Sequence, residues 1–279
     1  MNTQADDLIR IALEEDIGTG DRTTLATIPS DSMSKARIVA KSDVVVAGMP
    51  YFQRVYDLLG GGVVVSPLKD EGELAIAGTV VAELEGPTRS MLTGERVALN
   101  ILQRLAGVST MTRRYSDALS GLATKVVDTR KTTPGMRAMQ KYAVRKGGGN
   151  NHRFGLDSGV LIKDNHIAAC GTIKLAVERA RDVVPHLLKI QVETTNLEEV
   201  DEAIESSADV ILLDNMSVEM MAEAVKRVRA SNKGILTEAS GNVTLARIRT
   251  IAETGVDFVS VGALTHSVMA ADLSLEVVA

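Results

Sequence analysis

Between Arg130 and Leu156 lie seven permanent cations, Arg130, Lys131, Arg137, Lys141, Arg145, Lys146 and Arg153, and no carboxylate, in a chain whose net charge is −5. Guanidinium and ammonium groups gathered in this way, punctuated by Gly147-Gly148-Gly149 and closed by Asn151-His152-Arg153, supply the donors that a small, multiply anionic ligand needs. A solvated basic face is the plainer reading of a charge run, but such faces normally mix signs. Nucleic acid fits poorly. Backbone neutralisation takes a broad basic patch, and with three Phe, four Tyr and no Trp there are few platforms on which bases could stack.

A second set of polar residues falls at regular places further on. Short apolar runs end in Asp128-Thr129-Arg130-Lys131, Lys163-Asp164-Asn165-His166, Glu193-Thr194, Asp214-Asn215, Glu238-Ala239-Ser240-Gly241 and Gly262-Ala263. Any strand can leave its core through one polar residue. Five charged ends and a glycine-rich sixth point to a shared site, because parallel α/β sheets put their chemistry at the carboxyl ends of their strands.

The elements that must position these residues follow from the hydrophobic pattern. Apolar runs at 125–129, 159–163, 188–194, 209–214, 234–238 and 257–262 alternate with amphipathic stretches at 172–184, 197–206, 218–230 and 245–253. That is the pattern of consecutive βα units with a parallel sheet, and Asn196 and Ser217 stand where N-caps belong. The first hundred or so residues read differently. A helix over 6–14 and strands at 36–41, 44–47, 62–66 and 79–84, separated by glycines and prolines, predict a small mixed α+β domain, joined to the rest by a helix over 89–120.

Composition bounds the remaining possibilities. At 279 residues and 45% hydrophobic content the chain is long enough for two domains. No apolar stretch approaches membrane-spanning length, so no membrane partner is expected. The start, Met1-Asn2-Thr3-Gln4-Ala5-Asp6-Asp7, carries acids where a signal peptide would be basic and then apolar, which predicts a cytoplasmic protein. The single Cys170 and four scattered histidines give neither a disulfide framework nor a zinc spacing. Any metal would be a hard, oxygen-bound ion such as Mg²⁺.

The motifs, taken in order, resemble one family, the quinolinate phosphoribosyltransferases, or carboxylating nicotinate-nucleotide pyrophosphorylases. They run from Ala12-Leu13-Glu14-Glu15-Asp16 with Gly18, Gly20, Asp21, Thr23 and Thr24, through Gly94 to Asn100, Asp128 to Gly135, Lys141 to Arg145 and Gly147 to Arg153. They continue at Leu161 to His166, Leu212 to Asn215, Glu238 to Gly241 and Ser260 to Ser267, and so cover nearly the whole chain. The resemblance implies an N-terminal α/β sandwich domain over 1–110, with a tail near 268–279 that packs back on it, and an α/β barrel of about six parallel strands over 111–267. It also implies a homodimer with a shared active site, and the transfer of phosphoribose from phosphoribosyl pyrophosphate to quinolinate, giving nicotinate mononucleotide, pyrophosphate and CO2 with Mg²⁺.

Roles follow residue by residue from that resemblance. Arg130, His152 and Arg153 would hold the two adjacent carboxylates of quinolinate, a task for planar bidentate donors. Arg96 would reach in from the neighbouring subunit. Lys131 and Lys163 suit the pyrophosphate, while Glu193 and Asp214 suit the ribose hydroxyls and Mg²⁺, directly or through substrate. Lys131, Glu193 and Asp214 are the expected catalytic residues. Ser240, Gly241, Gly262 and His266 suit the 5-phosphate, the glycines through backbone N–H groups at turns that open onto helices. Two readings stay open: His266 as a satisfied partly buried histidine, and Lys163 as a Schiff-base lysine at a barrel strand end. A related enzyme for another anionic pyridine, or a non-catalytic phosphosugar-binding barrel, are the alternative functions.

Overall fold

The computed structural model describes residues 3–278; Met1 and Asn2 of the acidic start and Ala279 of the tail lie outside the described residues. The chain forms two compact units, one made of residues 1–113, 131–148 and 263–279, the other of 114–130 and 149–262.

The first unit opens with helices α1 (Thr3–Ile17) and α2 (Arg22–Thr27), the latter capped by Asp21, whose carboxylate accepts from the Thr24 N–H. Strands β1 (Met33–Ala40), β2 (Val44–Val45), β3 (Val64–Pro67), β4 (Leu74–Ala75) and β5 (Val80–Pro87) follow, with helix α3 (Met49–Leu59) between β2 and β3. β1 pairs antiparallel with β5 and with the C-terminal strand Leu273–Val278, and β3 adds to the far side of β5. The alternation of Ala36, Ile38 and Ala40 with exposed Lys35 and Arg37 gives β1 one buried and one solvated face. The 31-residue helix α4 (Thr88–Ala118), which belongs to this unit as far as Arg113, and helix α5 (Arg137–Lys146) complete the unit with the short helix Ala263–His266. No helix of the described residues is long and apolar enough to cross a membrane.

The second unit holds six parallel strands, β6 (Lys125–Val127), β7 (Val160–Ile162), β8 (Ile190–Thr194), β9 (Val210–Asp214), β10 (Leu236–Ser240) and β11 (Phe258–Ser260). They lie in the order β6-β11-β10-β9-β8-β7, so each βα unit packs beside the last and the first strand returns beside the final one. The parallel α/β architecture expected from the alternating pattern is therefore present. Its edges are β6 and β7; beside β6 runs the segment at Asn150, which exchanges backbone hydrogen bonds with Val126 and Asp128. Between the strands lie α6 (Asp164–Cys170), α7 (Ile173–Val183), α8 (Leu197–Glu205), α9 (Val218–Ala230) and α10 (Ile248–Ala252). Asn196 and Ser217 cap α8 and α9 as predicted, accepting from the N–H groups of Glu199 and Met220.

Several strands are shorter than expected, and two departures bear on the site. β10 runs from Leu236 to Ser240, two residues later than predicted, and its start is delayed because Gly234 takes φ +68° and stays in the preceding turn. The helix expected from Leu245 starts at Ile248, since Arg247 and Ile248 both donate to the Thr244 carbonyl in a tight turn.

Candidate active site

β6 leads into Arg130 and, through its edge, positions the segment that carries His152 and Arg153. Asp128 follows the strand and is 0% exposed, and its carboxylate accepts from the Asn151 side-chain amide at 2.7 Å and the His152 N–H at 2.8 Å. A buried carboxylate left without donors would be strongly disfavoured, so these bonds tie the segment after Gly147-Gly148-Gly149 to the end of β6. Arg130 and the pair His152-Arg153 are thereby brought to one end of the parallel sheet. The Arg153 guanidinium donates to the Gly159 carbonyl at 2.9 Å. Burial, and then the charge of nearby Arg130, hold it below its ordinary pKa, although it remains a cation. A half-buried Arg153 whose charge is opposed by burial and by the exposed Arg130 beside it makes a place for a multiply charged anion.

His152 has partners at both ring nitrogens. Nδ1 accepts from the Arg153 N–H at 2.8 Å, and Nε2 lies 3.1 Å from Gln191 Oε1 and 3.5 Å from Glu238 Oε2. The Gln191 amide in turn donates to Glu238 Oε2 at 3.0 Å. Gln191 and Glu238 are 6% and 4% exposed, inside the sheet rather than at its rim.

The strand pleat sets out what lies above them. Gln191 and Glu193 share one face of β8, and Glu238 and Ser240 share one face of β10, so each strand carries a buried polar residue and, two positions later, a half-buried one. Glu193 Oε2 meets Lys163 Nζ at 3.1 Å. The pairing holds the lysine as an ammonium partner of a carboxylate and argues against the Schiff-base reading of Lys163. Asp214, level with Ser240 in the register of β9 and β10, accepts at Oδ2 from the Asn215 amide at 2.7 Å. Asn215 Oδ1 accepts from the Asn242 amide at 3.0 Å.

Asn215 and Asn242 both hold left-handed backbone, at φ +53° and +48°, conformations that asparagine tolerates better than most residues. Gly241 between Ser240 and Asn242 sits at φ +90°, and a Cβ there would lie 2.1 Å from Asn215 Oδ1. Only glycine lets the Ser240 turn approach the Asp214-Asn215 corner this closely. The helix expected directly after this turn is displaced to Ile248, so the Ser240 and Gly241 N–H groups belong to a turn and not to a helix end.

The predicted site residues are thus divided by unit. Arg130, His152, Arg153, Lys163, Glu193, Asp214, Ser240, Gly241 and Gly262 lie in the second unit, at or just past the carboxyl ends of its strands. Lys131, His266 and Arg96 belong to the first. Arg96 is an exposed position on α4, and His266 is exposed, with Nδ1 2.6 Å from the Ser267 hydroxyl. Four polar residues that hold the site together carried no assigned role from sequence. Asp128, Asn215 and Glu238 stand in the strand-end motifs, whereas Gln191 interrupts an apolar run two residues before Glu193, the only signal it offers.

As to cofactor, no group of three or more His, Cys, Asp or Glu side chains able to hold a metal occurs among the described residues. Glu193 and Asp214 each engage one carboxylate oxygen and keep a second. That donor set fits an ion which brings most of its shell with substrate phosphates and water.

Residues 108–276 match the quinolinate phosphoribosyl transferase C-terminal domain, and residues 21–106 match the N-terminal domain of the same family. The chain is 49% identical over 266 residues to a probable carboxylating nicotinate-nucleotide pyrophosphorylase of Synechocystis, covering 95% of this chain and 90% of that protein. A Bacillus subtilis protein described in the same words is 46% identical over 263 residues, covering 94% and 90%. Among solved structures, the nicotinate-nucleotide pyrophosphorylase from Francisella tularensis superposes with a TM-score of 0.92 at 40% identity, over 100% of this chain and 97% of that one.

Proposed function

The chain belongs to the quinolinate phosphoribosyl transferase family, and we propose that its strand-end site joins phosphoribose to quinolinate and releases CO2. The protein is a carboxylating nicotinate-nucleotide pyrophosphorylase, a pentosyltransferase of NAD biosynthesis. The observation that carries this at the level of the site is the Arg130 and Arg153 pair: burial and the Arg130 charge disfavour the Arg153 cation, and a ligand bearing two adjacent carboxylates relieves that.

In this reading the arginines orient the pyridine ring so that its nitrogen faces C1 of the ribose. Lys163, braced by Glu193, faces the pyrophosphate. Asp214, held by Asn215, and Glu193 take the ribose hydroxyls, and the N–H groups of Ser240, Gly241 and Gly262 take the 5-phosphate. Lys131 and His266 are assigned to the same phosphates by family resemblance. Mg²⁺, held by the second oxygens of Glu193 and Asp214 directly or through substrate, would supply neutralisation of the departing pyrophosphate.

The ring nitrogen forms its bond to C1 as the bond to pyrophosphate breaks, through a carbon with oxocarbenium character, so the protein contributes alignment and charge more than covalent chemistry. The positive charge on the ring nitrogen then stabilises the carbanion left at C2 when the 2-carboxylate departs as CO2. A proton takes its place. By family resemblance, Arg96, exposed on α4, is the residue that each subunit of a homodimer lends to its partner's site.

Purified protein given phosphoribosyl pyrophosphate, Mg²⁺ and either quinolinate or nicotinate tests the assignment. Turnover of quinolinate is expected. Turnover of nicotinate in its place would reassign the acceptor.

A further inference from the structure

Glu238 is the least explained group in the molecule. It is a carboxylate 4% exposed, one of whose oxygens, Oε1, has no hydrogen-bond partner among the described residues, and no step of the reaction above calls on it. An ionisable group buried inside a sheet is disfavoured relative to an apolar residue of the same volume unless its charge or its hydrogen-bonding polarity is used.

Its polarity has a definite consequence. Glu238 Oε2 accepts from the Gln191 NH2 at 3.0 Å, which turns the nitrogen of that amide toward the carboxyl group. The Gln191 carbonyl is then committed to the other side, where it lies 3.1 Å from His152 Nε2. An acceptor at that place requires the ring proton on Nε2, and the direct 3.5 Å approach of Glu238 Oε2 to the same nitrogen favours it as well. With its proton on Nε2 the neutral imidazole has a lone pair on Nδ1, and this accepts the Arg153 N–H at 2.8 Å. Each link has one direction once Glu238 Oε2 takes the Gln191 NH2.

We propose that Glu238 is a positioning residue: acting through Gln191, it fixes His152 as the Nε2–H tautomer and so holds the Arg153 amide, and with it the guanidinium, in place for the two carboxylates of the acceptor. The consequence for quinolinate binding rests on the function proposed above; the tautomer itself does not. A glutamine at 238 keeps the volume and removes the direction, because an amide can donate to the Gln191 carbonyl. Gln191 then turns its NH2 toward His152, the ring proton moves to Nδ1, and two N–H groups face each other at the His152-Arg153 step.

The test is E238Q, with ring nitrogens labelled by ¹⁵N-histidine, read by NMR in the free protein and by steady-state kinetics. In the wild-type protein His152 should show a protonated Nε2 and a pyridine-type Nδ1. E238Q should populate the opposite tautomer and raise the KM for quinolinate about tenfold, the scale seen when an outer hydrogen bond that orients a ligand-holding histidine is lost. The KM for phosphoribosyl pyrophosphate should change less than about twofold, since the residues assigned to it lie outside this chain of bonds. An unchanged tautomer in E238Q overturns the polarity relay, and a changed tautomer with an unchanged quinolinate KM overturns the positioning role. If E238Q does not fold, Q191M is read in the same two assays with the same expected direction, and wild-type behaviour there overturns the proposal. If quinolinate turnover itself is absent, the tautomer measurement in free protein still decides the relay.

Discussion

Replacing Gly241 by alanine puts one methyl group where the site has no room for it, and the structure sets the scale of the loss. Gly241 holds φ +90°, and the new Cβ would lie 2.1 Å from Asn215 Oδ1, 2.4 Å from Cγ and 2.8 Å from Nδ2. A left-handed backbone costs a non-glycine residue about 1–2 kcal/mol. Relief of the contact requires Asn215 to swing away, breaking its bond to Asp214 and the one it receives from Asn242. The second, a neutral bond, is worth about 1 kcal/mol, so strain and lost bond together lower stability by about 2–3 kcal/mol, or roughly 4–12 °C in Tm for a chain of this size. The bond to the Asp214 carboxylate is charge-assisted, worth about 1.5–3 kcal/mol. If Asp214 meets the ribose in the transition state, that loss appears as about a 10- to 150-fold fall in kcat/KM for phosphoribosyl pyrophosphate. Initial rates with each substrate varied in turn, and quinolinate binding to the free protein by calorimetry, separate the two ends of the site. Quinolinate binding should hold within about twofold, because the Arg153 guanidinium is braced by the Gly159 carbonyl while Asn215 is tied to Asp214. A kcat/KM for phosphoribosyl pyrophosphate within threefold of wild type, or an equal loss of quinolinate binding, would refute the reasoning.

Three further outcomes are expected. Arg153→Lys keeps the charge and loses the planar fork, so the quinolinate KM should rise about 10- to 100-fold with little change for phosphoribosyl pyrophosphate. Mixing Arg96→Ala with Arg130→Ala chains under subunit exchange should restore about a quarter of wild-type activity if Arg96 serves the partner's site, since half the dimers are mixed and each of these has one intact site; no recovery contradicts the shared site. For Asp257, burial pushes the carboxyl up, but the Thr237 N–H, the Arg229 guanidinium and the Thr237 hydroxyl outweigh it and hold the folded value below 3.8. Its contribution is therefore present at neutral pH and fades as pH falls through that lowered value. Asp257→Asn should cost about 2 kcal/mol at pH 7, roughly 4–8 °C in Tm, with the gap from wild type closing as pH falls below 3.8 and through the lowered folded value.

Much of this architecture was legible because its signals are local. The alternation of apolar runs and amphipathic stretches gives the parallel sheet its six strands, and a hydroxyl or amide before an apolar periodic run, as at Asn196 and Ser217, marks where helices begin. The boundaries that moved did so for reasons outside any window of hydrophobicity: a left-handed Gly234, and a turn closed on the Thr244 carbonyl. At the site, the residues that meet substrate in the family's pattern advertise themselves by charge or by glycine. Those that orient them do not. Gln191 reads as one more residue of a strand, and Glu238 as the start of a motif, until the fold brings β8 and β10 to bear on His152, with Gln191 39 positions beyond the histidine and Glu238 47 positions beyond Gln191. Long-range polar contacts of this kind leave no trace in spacing.

The claim on which the account stands is that ribosylation and decarboxylation occur at one site on one acceptor. Quinolinate carrying ¹³C in its 2-carboxylate, incubated with this protein, phosphoribosyl pyrophosphate and Mg²⁺, measures it directly. The account predicts labelled CO2, pyrophosphate and nicotinate mononucleotide released in equal amounts, and none of the three when phosphoribosyl pyrophosphate is left out. Labelled CO2 without phosphoribosyl pyrophosphate, or a ribosylated product that keeps the label, would contradict it.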